Sequence, residues 1–415
     1  MTAPMTAAAP PETPRTPWGL VALLGSLTAF GALSTDMYLP GLPAIGRAFH
    51  APPGAAQASL SSFFLGLAIG QFFYGPASDR WGRRGPLLFG AALYLAASLA
   101  CAAAPSLGVL VAARFVQGLG ACAGQVIARA VVRDRFAHQL GARILSQLML
   151  VMGLAPILAP LAGGALLAVA SWRAIFWVMT GFGVIVGAWV LAALPESRSA
   201  ETAAKAREEH PFAAYLTLLR SPSLVGYVLA GAFNSAALFA YIAASPGLLI
   251  TTYRISPELF GVVFGLNAVG LIGMSQVNAH LLRWHTPETI LIRSRPVSIL
   301  FAAILILDAY LGLGGMWGVL APLFGVIASF GLVGANTQAA GLNADPLRAG
   351  SISALMGGAS FAAGALISSL TALFADGTAR PMAAVILGSI LASSAALYGL
   401  ARPTGPPVSV RGTPG

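Results

Sequence analysis

In the stretch ALSTDMYLPGLP, Ala32–Pro43, one carboxylate, Asp36, closes a run of apolar residues that begins at Trp18. Near the middle of a bilayer an ionised carboxylate costs ~2.5–3.5 kcal/mol, and one ordinary hydrogen bond returns only about 1 kcal/mol. Asp36 must therefore line a wet cavity, find a cation, or carry a proton. Arg114, in LVAARFVQGLG (Leu110–Gly120), is the obvious partner, because it too stands among apolar residues on both sides. Asp308 lies nearer the end of its apolar run, where interfacial water reaches it, and is the weaker candidate.

Two further groups carry chemistry of position. GPASDRWGRRGP, Gly75–Pro86, sets Asp79 among Arg80, Arg83 and Arg84. Gly75, Gly82 and Gly85 let the backbone turn tightly or approach a neighbour there. MGLAPILAPLAGGAL, Met152–Leu166, has Pro156 and Pro160 four apart and then Gly163 and Gly164. The prolines remove backbone donors and bend a helix, while paired glycines permit close helix contact.

Other chemistries are excluded by what accompanies these groups. His50, His138, His210, His280 and His285 do not cluster at metal-ligand spacing, and no H-E-x-x-H, acid pair or nucleophile elbow is found. The single lysine, Lys205, lies in no phosphate-binding loop, so ATP is not the energy source. Cys101 and Cys122 fall inside apolar runs and read as small apolar filler. The expectation is a protein that is not an enzyme, holds no metal or cofactor, and draws on an ion gradient.

The elements that must position these residues follow from composition. Of 415 residues, 57% are hydrophobic and only 9% charged, against about 25% charged in soluble domains. Apolar runs near 18–44, 57–77, 85–104, 107–132, 142–169, 172–194, 222–250, 257–280, 291–312, 316–340, 349–374 and 380–401 are each long enough to cross a bilayer. The fold class expected is an all-α polytopic membrane protein with twelve crossing helices. Continuous runs rather than alternation exclude a β-barrel. The least apolar internal segment, Pro195–Ser221, divides the chain into six plus six spans: 18–194 and 222–402, with tails at 1–17 and 403–415 expected to be disordered. The first run lacks a cleavage site and is not a signal peptide.

The net charge of +10 does not point to nucleic acid, because the basic residues lie between apolar runs. With the N-terminus inside, Arg80, Arg83, Arg84, Arg129, Arg133, Arg135, Arg143, Arg198, Lys205, Arg207, Arg220, Arg283, Arg293, Arg295 and Arg348 all fall at cytoplasmic ends. The opposite side keeps only Arg47, Arg173, Arg254 and Arg380, so both termini are expected in the cytoplasm. The halves read as a degenerate repeat: YLPGLP (Tyr38–Pro43) echoes ASPGLL (Ala244–Leu249), and Arg83 has a counterpart in Arg283. On that register Asp36 corresponds to Ile242, so the acid belongs to the first half alone.

These residues carry a resemblance to the major facilitator superfamily over roughly 18–402. Gly75, Asp79, Arg80, Gly82, Arg83 and Arg84 match its loop motif G-x-x-x-D-R-x-G-R-[RK]; Arg114, Gln117, Gly118 and Gly120 match the fourth-helix pattern R-x-x-Q-G-x-G. APLAGG, Ala159–Gly164, resembles the fifth-helix antiporter motif G-P-x-x-G-G, with Ala159 in place of glycine. TDMYLPGLP and RAVVRD (Arg129–Asp134) are most similar to the Bcr/CflA branch of drug:proton antiporters.

The resemblance implies a proton-coupled exporter of small drugs in the bacterial inner membrane, working by alternating access. Asp36 would bind the proton and sense substrate, and Arg114 would tune it. Asp79 and the loop arginines would latch the ends of the two halves, while Pro156, Pro160, Gly163 and Gly164 would form a hinge and seal. Tyr38, Phe233, Asn234, Tyr241, Asn336 and Gln338 are the candidates to line a mostly apolar drug cavity. Partners implied are a small-molecule drug, protons and the lipid bilayer, with the chain acting as a monomer. A symporter of the same fold, or a carrier of an endogenous metabolite such as a nucleoside or sugar, stays open as the alternative.

Overall fold

The computed structural model describes residues 18–136, 138–200, 203–204, 213–345 and 348–402. The expectations for the two tails, and for Lys205, Arg207 and His210, lie outside the described residues, as does the side chain of His138. Among the described residues twelve helices are long and apolar enough to cross a membrane. They are α1 (Trp18–Asp36), α2 (Gln57–Trp81), α3 (Arg84–Ala102), α4 (Leu107–Arg135), α5 (His138–Val169) and α6 (Arg173–Ala193), then α7 (Pro222–Pro246), α8 (Pro257–Leu281), α9 (Pro287–Leu311), α10 (Gly315–Ala344), α11 (Ala349–Leu373) and α12 (Arg380–Ala396). A short linker helix, Ala213–Leu218, precedes α7.

Local chemistry sets several of the starts. Ser106, Ser221, Ser256 and Thr286 each accept the backbone N–H three residues on. Proline follows the cap directly in α7, α8 and α9, where its missing N–H would have had no partner anyway. The Thr286–Pro287 pair thus begins α9 four residues before its apolar run, which matters below for Arg295. α1 stops at Asp36 because Pro40 has no N–H to offer the Asp36 carbonyl. The chain then tightens through a 3-10 turn, Leu39–Gly41, into a short helix, Leu42–Ala48. The echo of this segment in the second half also marks a change of winding: α7 runs into a π-turn at Gly247–Thr252.

α1–α6 pack among themselves, as do α7–α12, and the two sets meet along α2 against α11 and α5 against α8. Within the first set α4 is central. A side chain at Gly118 would strike the backbone of Phe63 on α2, and one at Gly120 would strike Gly90 and Tyr94 on α3. The two glycines of the fourth-helix pattern therefore admit two different neighbours to the same helix. The end of the bundle that carries the α2–α3 turn is called the arginine-rich end below.

Candidate functional site

Asp36 is 5% exposed, at the broken end of α1. Among the described residues no hydrogen bond or ion pair holds its carboxylate, although its neighbours are engaged: Ser34 Oγ and Tyr94 Oη are 2.8 Å apart, and Thr35 donates to the Gly31 carbonyl at 2.9 Å. Across from it, within electrostatic reach, stands Tyr241 of α7. The Tyr241 hydroxyl accepts from Asn267 of α8 at 3.1 Å, and its ring stacks on Phe264. The acid of the first half thus lies near the second half.

The expected pairing of Asp36 with Arg114 is not formed. Arg114 is fully buried with its guanidinium 4.2 Å from the Phe63 ring, 4.5 Å from Tyr38 and 5.9 Å from Phe176. Its Nη1 donates to Gln117 at 2.6 Å, and Gln117 donates on to Ser98 at 2.8 Å. Nε and Nη2 have no hydrogen-bond partner. Aromatic faces attract a desolvated guanidinium, and the turn after Asp36 swings the Tyr38 ring, not the carboxylate, over it. Tyr38 is accordingly packed inside the first half, its hydroxyl 2.6 Å from Ser59, and does not reach a cavity between the halves.

The other cavity candidates are scattered. Asn234 is buried and turns its carbonyl to Arg295 at 3.5 Å; Asn336 forms an amide pair with Asn278 at 2.6 Å; Phe233 is half-buried and Gln338 exposed. Of the six, Tyr241 is the one brought beside Asp36. Arg295, expected at a cytoplasmic end, is instead 1% exposed inside α9, donating to Ser393 at 2.9 Å with Nε unpartnered. The early cap at Thr286–Pro287 carries it there. Asp308 closes a turn by accepting the Gly314 N–H at 2.8 Å.

The loop motif builds the densest ionic network. Gly82 has φ +95°, a conformation glycine alone adopts freely, and turns the chain between α2 and α3. Arg83, 1% exposed, forks onto Asp134 of α4 (Nε at 2.6 Å, Nη2 at 3.3 Å), donates to Ser78 at 2.9 Å, and pairs with Asp79. Glu196, after α6, accepts the backbone N–H groups of Arg83, Arg84, Ser197 and Arg198. Arg198 in turn donates to the carbonyls of Asp79 and Arg80, and Arg84 to that of Leu191. None of these partners belongs to the second half: they lie on α2, α3, α4 and α6 or in the segment just after α6. The motif was expected to latch one half to the other; here it fastens α2, α3, α4 and the segment after α6 together. Asp134, Glu196 and Arg198 were not among the candidates, although the acid of RAVVRD was the available signal for the first.

Partial burial works to raise the Glu196 pKa, but the four backbone donors outweigh it and hold the carboxyl below its ordinary value. A lowered pKa means that its contribution is full above the usual glutamate range and is lost as pH falls through the lowered value. Acidification should therefore loosen this corner, and Glu196→Gln should make wild-type and variant stability converge at low pH. Thermal unfolding in detergent from pH 7 to pH 3 measures it; a constant difference across that range would contradict the assignment.

The fifth-helix glycines lie against the start of α8 and the turn after α1. A side chain at Gly163 would meet the Met37 carbonyl and Pro40, and one at Gly164 the backbone of Pro257 and Glu258. Reciprocally, Gly261 of α8 lies against the backbone of Pro160 and Leu161. Pro156 and Pro160 sit within α5 without ending it.

Two sets of six crossing helices, with a buried acid near their junction and an arginine caged by aromatic rings within the first set, fit a membrane carrier of small molecules. The Major Facilitator Superfamily model matches residues 24–369, and the chain belongs to that superfamily of secondary transporters. It is 33% identical to the uncharacterised MFS-type transporter YdgK of Bacillus subtilis, covering 92% of this chain and 95% of that one. It is 31% identical to a bicyclomycin resistance protein homolog of Haemophilus influenzae, over 90% and 94% of the two chains. Against the multidrug resistance protein MdtL of Salmonella typhi the figures are 26%, 88% and 91%. Among solved structures, a bacterial homolog of the lysosomal transporter Spinster, inward-facing, superposes with TM-score 0.71 at 14% identity over 94% of this chain and 98% of that one. A D-xylose-proton symporter gives 0.69 at 15% over 92% and 96%. These last two speak for the fold alone.

Proposed function

We propose that this carrier exports small, uncharged or weakly polar antibiotics in exchange for protons across a bacterial inner membrane, as a monomer with both termini in the cytoplasm. The observation that carries the reading is Asp36: buried, without a hydrogen bond or ion pair among the described residues, and within electrostatic reach of Tyr241 on α7. Burial favours the protonated form and a wetter or more polar state the ionised one, so a change of access at the junction becomes a change of protonation. Drug entering from inside displaces the proton, and a proton arriving from outside displaces the drug. Relatives named for bicyclomycin and multidrug resistance support export rather than uptake. One charge moved through ~100 mV yields ~2.3 kcal/mol, roughly 50-fold accumulation at 1.4 kcal/mol per decade, without a bound cofactor.

The test is proton release. Purified carrier in weak buffer with a pH-sensitive dye should acidify its medium on addition of bicyclomycin, chloramphenicol or florfenicol. An unchanged dye signal at every pH where the carrier is folded and binds drug would refute the coupling.

A further inference from the structure

We propose that the linker helix Ala213–Leu218 is a wedge, with Tyr215 as the positioning residue that holds the arginine-rich ends of α2 and α11 apart. Close approach begins at the opposite end, where Gly54, in the turn before α2, meets the backbone of Ala372 on α11. It continues to Gln71 against Gly357 and Phe72 against Gly358. From there nine residues of α2 (Phe72 to Trp81) and nine of α11 (Gly358 to Ala349) remain before the ends, about 13 Å of helix. Along that stretch Gly75 on α2 and Gly350 on α11 have nothing within 4 Å of where a side chain would begin. The result is a notch between the two halves.

The linker helix stands in it. The Tyr215 ring meets Phe72 of α2 edge-on, centroids 5.6 Å apart. Tyr215 and Leu218 are buried in one apolar cluster with Ile352, Leu355 and Met356 of α11 and Leu224 and Val228 of α7. The Tyr215 side chain also lies within electrostatic reach of Asp79, a member of the fastened corner. A carrier must bring these ends together in one of its states, and the ring occupies the place they would meet. Its apolar contacts with both sides stabilise the splayed state, and they must be given up when the notch closes. Among the described residues the loop motif does not bridge the halves, whereas the linker touches both. This inference concerns movement alone and stands whether or not the cargo is a drug or the coupling ion a proton.

Spin labels on Trp81→Cys and Gly350→Cys report the width of the notch by double electron–electron resonance, the two native cysteines being buried. Removal of the ring by Tyr215→Ala should shift the splayed-to-closed ratio about three- to tenfold toward closed, the range expected for one aromatic contact. Tyr215→Phe keeps the ring and should match wild type. Leu218→Ala, trimming the same helix elsewhere, should shift the ratio in the same direction as Tyr215→Ala and serves if that variant folds poorly. An unchanged distribution in both alanine variants overturns the proposal. So does a shift in Tyr215→Phe as large as that of Tyr215→Ala, since the hydroxyl would then be acting and not the wedge.

Discussion

Asp36→Asn is expected to reduce uphill export to the level of an empty membrane, at least tenfold below wild type in everted vesicles and to host susceptibility in a resistance assay. Asparagine has nearly the same shape but is neutral at every pH, so it imitates the protonated carrier permanently. Among the described residues no partner holds the wild-type carboxylate, so the change breaks no hydrogen bond or ion pair there. A neutral side chain of the same shape at a buried position should leave the folded protein about as stable as the protonated wild type. The discriminating control is downhill movement: drug equilibration without a proton gradient needs access but not titration, and should persist. Uphill export retained by a well-folded Asp36→Asn carrier would remove Asp36 from the coupling step.

Arg83→Gln should have the largest effect on stability. It leaves Asp134 in α4 facing no cation, with that carboxylate 7% exposed, and Asp79 38% exposed. Breaking one side of a buried pair typically costs ~3–5 kcal/mol. The figure here belongs mostly to Asp134, since water screens Asp79. A melting temperature lower by several degrees is expected, together with loss of expression. Arg83→Lys should recover only part of this, because an ammonium cannot fork onto Asp134 while also serving Ser78 and Asp79. A Lys variant as stable as wild type would show that charge alone, and not the fork, secures the corner.

The bundle was legible because crossing a bilayer demands long apolar runs, and each of the twelve expected runs contains or borders a helix found there. The loop motif was legible as a unit, since an acid, glycines and arginines at fixed spacing constrain one turn. What the spacing could not tell was the direction in which each side chain faces. Tyr38 and Asp36 are two residues apart across a broken helix end, and the ring, not the acid, covers Arg114. Arg283 and Arg83 look equivalent in the repeat, yet Arg83 is buried in a fork and Arg283 is exposed. The misplacement of Arg295 has a simpler origin. Hydropathy alone starts α9 at its first apolar residues, whereas Thr286 and Pro287 start it a full turn sooner.

The crossing of α5 with α8 has a mechanical consequence. Where Gly164 and Gly261 bring main chain against main chain, no bulky knobs interlock, so the surfaces can roll like a plain journal in its bearing. The cost of turning is then borne by the side-chain contacts farther out, and a bulky residue at either glycine would seize the axle without touching the cargo.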